Sequence, residues 1–141
     1  MNNIRLATKK DIKKIFELLN HDRNLSVDGK TGEYEKEDVE EFVGVKINKT
    51  FVYEEHNKIL GVLITQFWKT YIYLHLIIVD KNYQGKGIGE KLISYMENIA
   101  KKRRIKAIES ITGKKNKKMK SLLKKMNYKR GKAFIPFRKE L

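Results

Sequence analysis

Val79-Asp80-Lys81-Asn82-Tyr83-Gln84-Gly85-Lys86-Gly87-Ile88-Gly89-Glu90-Lys91-Leu92 sets a glycine-rich turn between two regular elements. An apolar run, Leu74 and Leu76 to Val79, leads in as a strand. Apolar residues at Ile88, Leu92, Ile93, Met96 and Ile99 lead out at helical spacing. The first backbone N–H groups of a helix have no partner inside it, and glycine lets a ligand come close to the chain. With the positive end of the helix dipole, such a turn suits a phosphate or pyrophosphate. A dinucleotide fingerprint would need glycine where Glu90 stands, and a Walker loop would need Ser or Thr where Gly87 follows Gly85-Lys86. The hexapeptide does fit Gln/Arg-x-x-Gly-x-Gly/Ala, through Gln84, Gly87 and Gly89. A plain strand-to-helix turn stays open at this level.

Outward from the turn, the chain reads as one domain over residues 1–141, enough for a single core. No run approaches the roughly 20 apolar residues of a membrane span. No leader opens the sequence, and the absence of cysteine excludes disulfides and thiolate catalysis. A cytoplasmic location is the expectation. His21, His56 and His75 lie at no metal-ligand spacing, so no metal is expected. The net charge of +15 is carried by the second half: residues 81–141 hold 20 Lys/Arg against 4 Asp/Glu, and residues 1–80 hold 12 against 13. That excess fits an anionic cofactor, nucleic acid or a lysine-rich proteome.

The segment 3–7 alternates as a short strand, and Thr8 with Asp11 reads as a capping box for a helix burying Ile12, Ile15, Phe16 and Leu19. A polar loop, His21 to Gly32, follows. Val39, Phe42, Val43 and Ile47 predict a second helix from about Glu35 to Asn48, with five acids early in it. These acids form either a rim attractive to a cationic amine or the usual complement of a helix dipole. Strands are expected at 50–55, 59–68 and 71–79, antiparallel through tight turns at His56-Asn57-Lys58 and Lys69-Thr70. Gly61 marks a bulge or a close backbone approach. After the long helix, a strand from Ile105 to Ile111 returns parallel to its predecessor. A basic helix, Asn116 to Met126, and two last strands, 128–130 and 133–139, complete the chain. Pro136 marks the final one as an edge strand.

On Gln84, Gly87 and Gly89, and on the order β-α-α-β-β-β-α-β-α-β-β, the chain resembles the GNAT superfamily of N-acetyltransferases. The resemblance implies a mixed α/β fold: a mostly antiparallel twisted sheet of six to seven strands flanked by about four helices. It implies acetyl-CoA as co-substrate. Backbone groups of Ile77, Ile78 and Val79 would meet the pantetheine, and those of Gln84, Gly85, Lys86, Gly87, Ile88 and Gly89 the pyrophosphate. Asn116 stands where the family uses an amide near the pantetheine, although it also reads as a helix N-cap. The reaction implied is direct attack of a primary amine on the thioester, with no enzyme nucleophile. The acceptor is a small molecule, a peptide N-terminus or a lysine, and the loop His21 to Gly32 and the helix after it would line its side of the site.

An alkylamine of pKa near ~10 needs a base at neutral pH. Tyr73 and His75 share a strand face and are the candidates, with His75 where one member of the superfamily carries a catalytic histidine. A histidine packed in the sheet is the plainer reading. The sequence departs from the family at Leu123, where a tyrosine commonly protonates the leaving thiolate; Tyr128 or water would have to serve. Lys114, Lys115, Lys117, Lys118, Lys120, Lys124 and Lys125 crowd the basic helix and its entry, as solvated charge, CoA-phosphate contacts or a nucleic-acid surface. From Leu123 and the basic half comes the alternative function, a non-catalytic module of this fold binding RNA, ribosome or an acidic partner. Monomer and homodimer are both open, with Phe67 and Trp68 as candidate contact residues.

Overall fold

The computed structural model describes residues 2–21 and 34–141. The polar loop expected between His21 and Gly32 falls almost wholly outside the described residues. Strand β1 (Ile4–Leu6) leads through a single 3₁₀ turn into α1 (Ile12–His21), and α2 (Lys36–Gly44) follows. Strands β2 (Asn48–Glu55), β3 (Lys58–Phe67) and β4 (Tyr71–Val79) form an antiparallel meander. After α3 (Ile88–Lys102), β5 (Ala107–Ser110) adds to β4 in parallel, and α4 (Lys117–Lys125) closes the regular structure. The sheet order is β1-β2-β3-β4-β5.

The hairpin between β2 and β3 turns on His56 and Asn57 alone, both with positive φ (49° and 61°). That matches the primed two-residue turns whose twist suits paired strands. Gly61 fulfils both of its readings. The β2–β3 register slips beside it, and a Cβ there would stand 2.8 Å from Ile88 Cγ2 and 3.1 Å from Leu92 Cδ1. Bare backbone at this point lets the first turn of α3 lie directly on the sheet.

The sheet is buried on both faces. Leu63, Ile72 and Leu74 pack with Leu92, Ile93 and Met96 of α3 on one side. Val62, Ile64, Leu76 and Ile78 pack with Ile15 and Leu19 of α1 and Val39 of α2 on the other. Each fully buried aliphatic side chain contributes about 1.5–3 kcal/mol, so these two layers dominate the stability.

Two expectations are corrected. The second helix stops at Gly44 rather than near Asn48, because Val45 is extended (φ −80°, ψ 130°) and the Ile47 carbonyl accepts from Phe67 N–H at 2.9 Å. The sheet claims these residues, so β2 starts early. The sheet has five strands rather than six to seven: neither 128–130 nor 133–139 is a strand, and residues 129–141 are exposed throughout. A strand needs a ladder partner, and this tail has none on its own chain among the described residues.

One polar anchor was not visible in the sequence. Asp11 is buried, and its carboxylate accepts from Arg5 Nη1 (2.8 Å) and Nη2 (3.0 Å) and from Thr8 N–H (2.7 Å). Arg5 Nε also donates to Glu54 at 2.8 Å, which ties β1, α1 and β2 together. The Arg5 hydrogen bonds hold the Asp11 carboxyl below its ordinary value of 3.8, against the opposing effect of burial. We expect Asp11→Ala to cost about 2–3 kcal/mol in urea unfolding at neutral pH. A depressed folded-state pKa gives stability that is present above the ordinary value and lost as pH falls through the folded one. The difference between wild type and variant should therefore shrink at acid pH below that value.

Candidate active site

The site is built where β4 loses its neighbour. Pairing of β4 with β5 runs from Tyr71↔Ala107 to Leu74↔Ser110 and ends there, sealed by Ser110 Oγ donating to the Leu74 carbonyl at 3.0 Å. From His75 to Val79 the strand goes on with β3 on one side and an open edge on the other. Asp80 N–H donates to Leu60 O on β3, so alternation turns the backbone of Ile78 toward β3 and that of Ile77 and Val79 toward the open edge.

His75 is a bulge. Thr65 pairs with Leu74 and Ile64 with Leu76, which leaves His75 between two ladder positions. The extra residue reverses the inside-outside parity of the strand. Before it, Ile72 and Leu74 face α3; after it, Leu76 and Ile78 face α1 and α2. Tyr73 and His75 both fall on the α2 face, their ring centroids 6.1 Å apart. The His75 ring lies 5.2 Å from that of Phe42 on α2, and Phe42 stands edge-on to Tyr34 at 6.0 Å. Burial lowers the His75 pKa from its ordinary 6.5, so the imidazole is neutral at neutral pH. Burial raises that of Tyr73, which stays a phenol.

At the end of the open edge lies the glycine turn. Gly85 (φ 76°) and Gly87 (φ 80°) are both left-handed, and a Cβ on either would meet nothing within 4 Å. The turn is thus a cradle open on its outer side. Gly87 is the N-cap of α3, and the first helical bond is Lys91 N–H to Gly87 O at 3.0 Å. The N–H groups of Ile88, Gly89 and Glu90 precede that ladder, and such groups are suited to an anion. Gly89 lets α4 approach, since a Cβ there would be 3.2 Å from Leu122.

The Gln84 amide does not reach outward. Its Nε2 donates to Val79 O at 3.1 Å, and its Oε1 accepts from Lys118 Nζ at 2.7 Å. Lys118 is thereby singled out from the lysines of α4 as the cation over the turn. Lys125 is engaged with Glu90 at 2.7 Å, and Lys86 lies 4.9 Å from the centroid of the Tyr83 ring. Asn116 caps α4, its Oδ1 accepting from Met119 N–H at 3.1 Å. Leu123 packs into the core, and the Tyr128 phenol, held above its ordinary pKa by burial and by Glu97, is turned to α3. A cleft of about 540 Å³ lies apart from the open edge, between α3 and β1–β2, and touches the turn only at Gly87.

A mixed sheet that opens beside its fourth strand, over a glycine turn capping a helix, defines an acyl-CoA-dependent N-acetyltransferase. The chain belongs to the acetyltransferase (GNAT) family, whose model matches residues 12–128. No curated protein sequence matches it. Among solved structures it resembles a mutant of the BH1408 protein from Bacillus halodurans (17% identity, TM-score 0.83, 97% of this chain and 99% of that one). It also resembles the aminoglycoside N-acetyltransferase AAC(6')-Iy in complex with CoA (14%, 0.77, 98% and 99%). A third is the ribosomal-protein-alanine N-acetyltransferase from Brucella melitensis biovar Abortus 2308 (14%, 0.80, 97% and 98%). No described helix is long and apolar enough to cross a membrane.

Proposed function

We propose that the protein transfers the acetyl group of acetyl-CoA to the primary amine of a cationic acceptor by direct attack, with His75 as the base. The observation that carries this is the open edge of β4 from His75 to Val79, ending at the outward-facing glycine turn. Ile77 and Val79 offer backbone groups along that edge for the pantetheine amides. The turn from Gln84 to Gly89 and the Lys118 ammonium hold the pyrophosphate, and Asn116 bounds the gap at the start of α4.

Neutral His75 accepts a proton from the ammonium, directly or through water, and the freed amine attacks the thioester carbonyl. An N–H of the 77–79 segment stabilises the tetrahedral oxyanion. Its collapse breaks the C–S bond, and the departing thiolate takes a proton from water, since Leu123 has none to give. The Tyr34–Phe42–His75 rings with the exposed acids of α2 favour a cationic amine.

The test is CoA thiol release with polyamines, aminoglycosides, amino acids, lysine peptides and free-N-terminus peptides as acceptors. Turnover on a cationic amine is expected. Acetyl-CoA binding with silence across the panel would overturn the catalytic reading in favour of a binding module. For Lys118→Ala we expect the KM for acetyl-CoA to rise about 5–10-fold with kcat within about twofold, the mark of lost ground-state binding.

A further inference from the structure

After α4 the chain leaves its own fold. Residues 129–141 are all exposed and belong to no helix or strand, yet they carry Phe134, Ile135 and Phe137, which are 75, 78 and 93% exposed. Three large apolar side chains in four residues, in a sequence of strand-forming composition, mark an interaction segment. The same chain shows an unmatched acceptor for it. Strand β5 is the edge of the sheet, and its outer side has no ladder partner among the described residues. Beside that edge lie Ile111, 55% exposed, and Trp68, 45% exposed and stacked on Tyr71, the residue paired with Ala107. An open apolar edge of this kind invites a strand from another chain.

We propose that residues 133–139 form a strand on the outer edge of β5 in a second copy of this chain, so that two copies exchange tails. The segment suits an outermost strand. Pro136 lacks an N–H, which an edge strand can spare on its solvent side. Glu109, exposed in the middle of β5, gives the basic tail an acid to meet. Three such side chains bury roughly 150 Å² each when covered. Two reciprocal tails and the surface they cover thus reach about 1,800 Å², the size of a stable interface. A second copy is the occupant because each chain carries both the free strand and the free edge, and the exchange satisfies both twice.

The chain contains no cysteine, so introduced cysteines report without background. Glu109→Cys and Ile135→Cys are made as separate variants, mixed, and treated with a short bismaleimide; sedimentation velocity follows the unmodified protein. We expect a dimer, tail-to-edge cross-linking between the two variants, and association weakened roughly 100-fold by Phe134→Asp with Phe137→Asp. Arg103, Arg104 and Lys106 repel the basic tail, so the dimer should tighten as salt screens them. Monomer mass at all concentrations would overturn the proposal. So would cross-linking within a single chain in the double-cysteine variant, or a dimer that persists after truncation at Gly131.

Discussion

Glu in place of Gly87 will weaken acetyl-CoA binding at least about 100-fold in titration calorimetry, while the melting temperature moves by only a few degrees. The argument rests on what surrounds this residue. Its φ of 80° and ψ of 10° are left-handed, so any side chain here costs on the order of 1 kcal/mol in backbone strain. That is too little to unfold a domain with two buried layers. A Cβ at Gly87 meets no protein atom within 4 Å, so the side chain enters the space in front of the turn and not the core. There a carboxylate faces the N–H groups of Ile88, Gly89 and Glu90 and takes the place of the ligand's phosphates, while repelling them. Gly87→Asn separates bulk from charge, because asparagine tolerates the left-handed region and is neutral; a loss of about tenfold is expected. Undiminished binding in Gly87→Glu would remove the pyrophosphate from this turn.

What could be read in the chain beforehand follows the range of the interactions involved. The glycine turn was legible because capping, positive φ and the loss of Cβ are properties of a few consecutive residues. The meander was legible for the same reason, its turns lying on His56-Asn57 and Lys69-Thr70. The bulge at His75 was not, since it exists only in the register against Ile64 and Thr65. Arg5, Asp11 and Glu54 form a cluster across 49 positions of sequence, and nothing local distinguishes them. Lys118 looked like any of its neighbours until Gln84, 34 residues away, selected it. The second helix was drawn too long because helical spacing from Val43 to Ile47 continues past the point where the sheet takes the backbone. Similarly, strand propensity in the tail was read correctly as a tendency, but propensity does not supply a partner. His75 illustrates both sides: its residue type and strand position suggested a base, and only the fold put Phe42 against it.

That placement leads to the second large effect: His75→Ala should lower kcat/KM about 10²–10³-fold near neutral pH, within the range of general-base catalysis. Burial lowers the imidazole pKa from 6.5, so the neutral, proton-accepting form dominates at neutral pH. Wild-type kcat/KM should therefore fall on the acid side with a break below 6.5, where His75 becomes protonated. The variant should lose this break and keep only the rise toward high pH that follows the acceptor's own ionisation. Acetyl-CoA affinity should be unchanged, because the side chain lies on the α2 face and the turn lies beyond Val79. Tyr73→Phe tests the partner residue. Since burial keeps Tyr73 protonated, it cannot be the base, and its loss should cost less than that of His75 and leave the acid break in place. If His75→Ala retains kcat/KM within about threefold of wild type at every pH, with binding intact, then His75 is only the bulge that redirects the strand. In that case the amine must lose its proton to solvent before it attacks.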